Sequence, residues 1–356
     1  MVTSRFDGNA FIHDLASSSS WRANAAVLMT IVDALRPFNT SQLPKHLVFS
    51  LFGAESWSFA GSQRFVQDLS KEFVCQQKTS QHCPFSNPAC GNPCTPNLDF
   101  RRLDFEAISS VIDLDVGGLL FTNDPGLDVY YHVDQYSAEI GSIGSTLQFF
   151  SGNVTGFNGS SSTTLTFKPA FTSSNNLGLP PSSAMSFLMK KNIPAVLLAD
   201  YSTKFSNPFY STEYDDGSTW GNDQITRLCG IAGGIAKSLY VIAGGSLSLA
   251  PGITADCGRL QEYMYCMTRN FSCPLMQQLF PTPTDLPTFV RSYSGEFSFG
   301  ALPSYLTFFI SRMMANSTAG ARLGTCVKDS ECLSVFIDSF FLSFIVSSFC
   351  VSPDNA

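Results

Sequence analysis

Short apolar runs that stop at a turn and give way to a helical pattern recur along this chain, and they restrict it to one broad architecture. Residues 47–52, Leu-Val-Phe-Ser-Leu-Phe, read as a buried strand that stops at Gly53. A helix follows, marked by Phe59, Phe65, Val66 and Leu69. Upstream, Ala25, Leu28, Met29, Val32 and Leu35 recur at helical spacing behind Ser residues able to cap them. Further strands are expected at 108–116, 127–133 and 194–198. Pro180-Pro181-Ser182-Ser183 opens a short helix, and a long one carries Ile225, Leu228, Ile231, Ile235 and Leu239 before Gly244-Gly245 closes it. Strand, sharp turn, helix is the repeating unit of an α/β fold with a doubly wound, mostly parallel central sheet flanked by helices. The Ser/Thr/Asn/Gly-rich stretch 152–176 reads as a loop.

Composition decides the compartment. Charged residues make up 14% and apolar ones 44% of the 356, with 32 Phe, which fits a packed chain. A net charge of −7 without basic runs offers nothing to neutralise phosphates, so nucleic-acid binding is excluded. Eleven Cys are many for a reducing cytosol. Five Asn-x-Ser/Thr sequons, at Asn39, Asn153, Asn158, Asn270 and Asn316, point to a glycosylated protein of the secretory pathway. Cys75, Cys83, Cys90 and Cys94 sit among Pro, Asn and Gln in 74–104, which reads as a disulfide-pinned surface insertion, with a structural zinc site as the competing reading. Cys257, Cys266 and Cys273 cluster, as do Cys326 and Cys332, and suggest local disulfides. The first residues hold no apolar stretch of signal-peptide length, so the chain is expected to start inside a longer protein. Residues 333–350 are apolar but include Asp338 and several Ser, which favours a strand or hairpin over a membrane helix.

The residues with most chemical content run from Phe52 to Ser62: Phe-Gly-Ala-Glu-Ser-Trp-Ser-Phe-Ala-Gly-Ser. This segment resembles the strand-end motif of the two-zinc aminopeptidases, Phe-Gly-Ala-Glu-Glu followed shortly by Gly-Ser. In that family the first Glu is the general base and the second a zinc ligand; here they correspond to Glu55 and Ser56. The resemblance extends over most of 1–245 in the same order. Its His-x-Asp pair corresponds to Arg5-Phe6-Asp7, with Arg5 in place of the His, and its bridging Asp to Ser20 before the first helix. The strand-end Asp is retained as Asp115, and the His of Tyr-His-Thr-x-x-Asp has become Ser211 within Tyr210-Ser211-Thr212-Glu213-Tyr214-Asp215. A catalytic zinc takes three protein ligands and a water, and a neutral Ser or a cationic Arg cannot stand in. The four His, at 13, 46, 82 and 132, fall outside the motif positions, and His132-Val133-Asp134 lies on the wrong side of the Glu motif. The resemblance therefore implies a peptidase fold with a lost metal site, no metal and no cofactor.

A kept fold with a lost metal is the pattern of the nicastrin family, which finer segments also resemble. That family carries Gly-Glu, two residues, then Asp-Tyr-Ile-Gly-Ser; this chain sets Glu55 on the Glu and Ser58, Phe59, Ala60, Gly61 and Ser62 on the five-residue motif. Ser58 in place of the Asp removes a charge. Residues 179–183, 194–200 and 238–245 resemble nicastrin segments in the same order, as do 314–318 with Cys326 and Cys332. The resemblance implies a non-catalytic subunit of a γ-secretase-type intramembrane protease complex. Its implied partners are presenilin and two small multispanning membrane proteins, its substrates type I membrane proteins, and its setting the lumenal or extracellular side of secretory-pathway and cell-surface membranes. A vestigial substrate pocket would involve Glu55, Asp115 and Ser211, with Ser56, Arg5 and Ser20 around them. The expected division is a peptidase-like unit over 1–250, a C-terminal part of the ectodomain over 251–332, and an apolar tail over 333–356. A divergent zinc aminopeptidase and a receptor-like scaffold on a peptidase fold are the alternatives. Plainer roles exist for single residues: Glu55 caps the following helix or pairs with Arg64, and Asp113 and Asp115, on one side of a strand, are hydrogen-bonded.

Overall fold

The computed structural model describes residues 1–8, 19–38, 42–71, 74–76, 90–92, 94–95, 103–121, 126–171, 176–205, 207–216, 220–279, 286, 305–319, 321–322, 332–337 and 345–351. Over these the chain opens with β1 (Val2–Arg5), α1 (Ser19–Leu35), β2 (Phe49–Phe52) and α2 (Ala60–Leu69). Two short strands, β3 (Cys90–Gly91) and β4 (Cys94–Thr95), precede β5 (Val111–Asp115), β6 (Leu127–Val133) and α3 (Ala138–Phe149). Next come β7 (Gly152–Val154), β8 (Thr163–Pro169), α4 (Ala184–Leu188), β9 (Ala195–Ala199) and α5 (Asn222–Ile242). The last part holds α6 (Cys257–Thr268), α7 (Pro274–Gln277), α8 (Tyr305–Ala319), β10 (Ala321–Arg322), β11 (Cys332–Ile337) and β12 (Ile345–Val351).

Among the described residues the central sheet has seven strands in the order β2-β1-β5-β9-β6-β8-β7. The first four run parallel; β6 turns antiparallel to β9, β8 parallels β6, and β7 closes the far edge antiparallel to β8. The expected mostly parallel, helix-flanked α/β fold is therefore the observed one. Alternate strand residues feed two cores, as the two-residue period of a strand requires. On β5, Ile112 and Leu114 join α1 and α5 in the larger core, while Val111 faces Phe187 and Val66 on the other side. Helix α1 is buried almost all round, because α5, α6 and α8 surround it and leave no solvent face. Its Arg22 is carried into that interior and donates to the Met267 carbonyl, and burial lowers its pKa to about 9.

Two stretches in the middle of the chain depart from the reading of the sequence. The stretch 152–176 is not a loop throughout: it contains β7 and β8, because Leu165 and Phe167 alternate inward between Thr residues suited to a strand. Helix α3 was not expected; Ser137 caps it through the Ile140 amide, and Ile140, Ile143 and Leu147 form its buried stripe. In the 333–350 segment β11 and β12 pair antiparallel, in line with the strand expected there, and residues 338–344 lie outside the described residues. Cys75 and Cys90 are bridged, as expected of a pinned insertion, and Cys266 pairs locally with Cys273. Cys229–Cys257 is a non-local bridge from α5 to α6 that the sequence did not suggest. Cys83, Cys326 and Asn39 lie outside the described residues.

Candidate functional site

Strands β2 and β5 lie on opposite sides of β1, so the direction of winding reverses beside β1 and a crevice opens at the carboxyl ends of these strands. Arg5 ends β1 and Asp115 ends β5, which brings both to that crevice. The Arg5 guanidinium stacks 3.2 Å from the centre of the Trp21 ring and donates to the Tyr210 hydroxyl at 3.2 Å. Trp21 and Tyr210 meet edge to face at 5.5 Å, so the cation, the indole and the phenol form one wall.

Ser20 lies in the first turn of α1, whose free amides need acceptors. Asp215 supplies them: its carboxylate accepts from the Ser20 amide at 2.9 Å and the Ser20 hydroxyl at 2.5 Å. Burial raises the Asp215 pKa, against the pull of these bonds and of Arg22. Asp115 receives a 3.4 Å bond from Asn24 Nδ2. Burial lifts its pKa to about 7; the Arg5 charge opposes that, while Asp200 and Asp113 push the same way as burial. A small cleft is lined by Ser20, Trp21, Asp115, Gly118, Asp200, Phe205, Asn207 and Tyr210. The Asn207 Oδ1 takes the Phe209 amide at 2.8 Å, and its buried Nδ2 has no partner among the described residues.

Glu55 is placed elsewhere. It is 1% exposed, and both carboxylate oxygens are engaged within the protein. Oε1 accepts from the Ser62 amide near the start of α2 at 2.7 Å, and Oε2 accepts from the Ser183 hydroxyl beside α4 at 2.5 Å. Ser62 and Ser186 hydroxyls pair at 2.7 Å, completing a polar tie between the two helices. Asp7 accepts from the Glu55 amide at 3.2 Å and the Ser56 amide at 3.5 Å. Burial raises the Glu55 pKa to about 7 in spite of the Ser183 and Ser62 bonds. The capping role is the one Glu55 fills, and Arg64 pairs instead with Asp68 at 2.8 Å.

The turn that carries the motif is tightly wound. Ala54, Ser58 and Phe59 all have positive φ, and a Cβ on Gly61 would stand 2.0 Å from the Gly53 carbonyl oxygen. Ser58 is exposed, Phe59 and Ala60 are half-buried, and Gly61 and Ser62 are buried. Ser211 also has positive φ and follows Tyr210, yet it is not among the residues lining the cleft. Arg5, Ser20 and Asp115 are thus brought together, while neither Glu55 nor Ser56 lines the cleft. Asp200 and Asn207 were missed as site residues, although a polar residue directly after the 195–199 strand was a usable signal. Asn153 and Asn158 are exposed, and Asn270 and Asn316 are half-buried.

These residues do not fit a zinc pair. The ligand positions hold a guanidinium committed to Trp21 and Tyr210 and a hydroxyl committed to Asp215, and among the described residues no three His, Cys, Asp or Glu side chains cluster to hold a metal. Fold and crevice together define an α/β protein of aminopeptidase-like layout in whose crevice Arg5 and Ser20 are committed to other partners. Residues 1–240 match the family model described as nicastrin large lobe, and the chain belongs to the nicastrin family. It is 28% identical to a nicastrin of Dictyostelium purpureum over 362 residues, covering 100% of this chain and 51% of that one. It is 21% identical to human nicastrin over 345 residues, covering 89% of this chain and 42% of that protein. A solved structure described as the γ-secretase component nicastrin superposes with a TM-score of 0.72 at 28% identity, covering 99% of this chain and 56% of the other. The chain spans about half the length of the curated relatives it matches.

Proposed function

We propose that this chain is the large-lobe portion of a non-catalytic subunit in a γ-secretase-type intramembrane protease complex. Its partners are presenilin, which supplies the catalytic aspartates, and two small multispanning membrane proteins; its substrates are type I membrane proteins. The ectodomain faces the lumen or cell exterior, serves assembly and stability, and receives or sterically screens substrate ectodomains. The observation that carries the non-catalytic reading is Arg5, a fixed cation built into the crevice where the related hydrolases place a metal ligand. A substrate terminus would meet Asp115, Asp200 and Asn207 in the cleft, while Glu55, sealed by Ser62 and Ser183, supports the turn beside it.

The test is affinity purification of the full-length tagged protein from its own membranes in mild detergent, with identification of co-purifying proteins and metal analysis of the same sample. Presenilin and its small partners in near-equal amounts are expected. Near-stoichiometric zinc with no presenilin would overturn the proposal in favour of a divergent aminopeptidase. A well-expressed, glycosylated protein without either would leave a receptor-like scaffold.

A further inference from the structure

Among the described residues, strand β7 is the last in the central sheet, with β8 as its neighbour on one side and none on the other. An open edge offers unpaired backbone groups to any passing strand, and proteins blunt such edges with charges, prolines or covers. Part of this edge is blunted by the chain itself. Pairing with β7 covers only Thr163 to Leu165 of β8; beyond it, the Phe167 amide donates to the Ser151 hydroxyl at 3.0 Å, and Pro169 has no N–H to offer. The outermost segment lacks these devices. Residues 151–160, Ser-Gly-Asn-Val-Thr-Gly-Phe-Asn-Gly-Ser, contain no Lys, Arg, Asp, Glu or Pro, and the exposed Gly152 has open space where a side chain would stand.

Two sequons lie in this segment. Asn153 is exposed on β7, and Thr164 donates to its Oδ1 at 3.2 Å, so that bond does not engage Nδ2, the atom that carries an N-glycan. The sequon hydroxyl residue Thr155 is exposed too. Asn158 is exposed at the tip of the following turn, with φ of 47°. That turn is pinned to α5: Asn222 donates to the Asn158 carbonyl at 3.2 Å, and the Ser160 and Thr226 hydroxyls meet at 2.5 Å. Both attachment points are therefore held in fixed positions beside the free edge. Asn270 and Asn316 differ: both are half-buried in the helical part of the chain.

We propose that N-linked glycans on Asn153 and Asn158 cover the free edge of the central sheet and keep it from pairing with a strand of another molecule. The bulky, hydrated sugars do the work that a charge or proline does on other edges. This rests on the reading of the two sequons as occupied. Glycopeptide mass spectrometry of the full-length protein from its own secretory pathway tests that part; unoccupied sites would end both the sequon reading and the proposal. With occupancy shown, Asn153→Gln with Asn158→Gln is compared with the parent by light scattering and a cross-β-binding dye. The expected result is several-fold more self-associated material at an unchanged melting temperature. Asn153→Lys with Asn158→Gln should stay monodisperse, because a charge on the edge replaces the sugar. If the Gln variant does not accumulate, endoglycosidase trimming of the folded parent reads out the same effect, and the Lys variant should resist it. Occupied sites whose loss leaves self-association unchanged would overturn the edge role alone.

Discussion

Glu55 is an acid kept in a place that favours its neutral form. Its pKa rises from 4.5 in the free side chain to about 7 because burial outweighs the bonds from Ser183 and Ser62. Between those values the folded state holds a proton that the unfolded state has lost, so stability is greatest at low pH and falls as pH rises through the window. The fall is about 3 kcal/mol, order of magnitude. Asp115, raised from 3.8 to about 7, adds with the same sign. Glu55→Gln removes one ionisable group while its amide oxygen can still take the Ser62 amide. Denaturant midpoints of parent and variant from about pH 5 to about pH 8 should therefore show a flatter profile for the variant. An equally steep fall in both would remove Glu55 as its source. Gly117 makes a different kind of constraint: a Cβ there would stand 1.7 Å from the Ser20 carbonyl oxygen. Gly117→Ala should cost about 3 kcal/mol, read from thermal unfolding, because α1 must move to admit the methyl group. The Glu motif and Asp115 were legible in the sequence because chemistry resides in residue type and local spacing. That Glu55 turns inward was not, since its partner Ser183 lies more than a hundred residues away.

At the scale of elements, spacing was informative wherever one element carried its own signal. α1, α2, α5, β2, β5, β6 and β9 each have apolar residues at their own period, and each was found within a few residues. β8 was hidden because its inward pair, Leu165 and Phe167, sits in a Thr- and Ser-rich composition, and α3 because Gly141 and Gly144 dilute its stripe. Gly144 is needed there, since the Tyr131 hydroxyl stands 2.9 Å from where its Cβ would be. The Cys229–Cys257 bridge joins α5 to α6 across a sequence separation of 28. Replacing both Cys by Ala should lower stability by about 3 kcal/mol through the longer reach of the unfolded chain, seen as a lower denaturant midpoint. An unchanged midpoint would show that α5–α6 packing alone holds the pair.

For the whole molecule, α5 has the length and composition of a membrane span, yet most of it lies buried against α1, α3, α6 and β8. Helix α6 contributes Leu260, Tyr263 and Met264 and α8 contributes Leu306 and Phe309 to that same core. A fragment ending at residue 250 should consequently unfold without a sharp transition and bind a hydrophobic dye, whereas the full chain unfolds cooperatively. A sharp transition in the short fragment would show that the core closes without these helices.

By itself the sequence determined the α/β class, because that depends on period, and composition and residue identity supplied the expectations of a secretory setting and of a lost ligand set. Only the tertiary structure decided which residues share the cleft. Glu55 follows β2 and Asp115 ends β5, on either side of β1, but the tight turn 53–61 aims the first at α2 and α4, while the second lies in the cleft with Asp200 and Asn207. A side chain's direction at a strand end is set by backbone angles and long-range partners, and neither is written in local spacing.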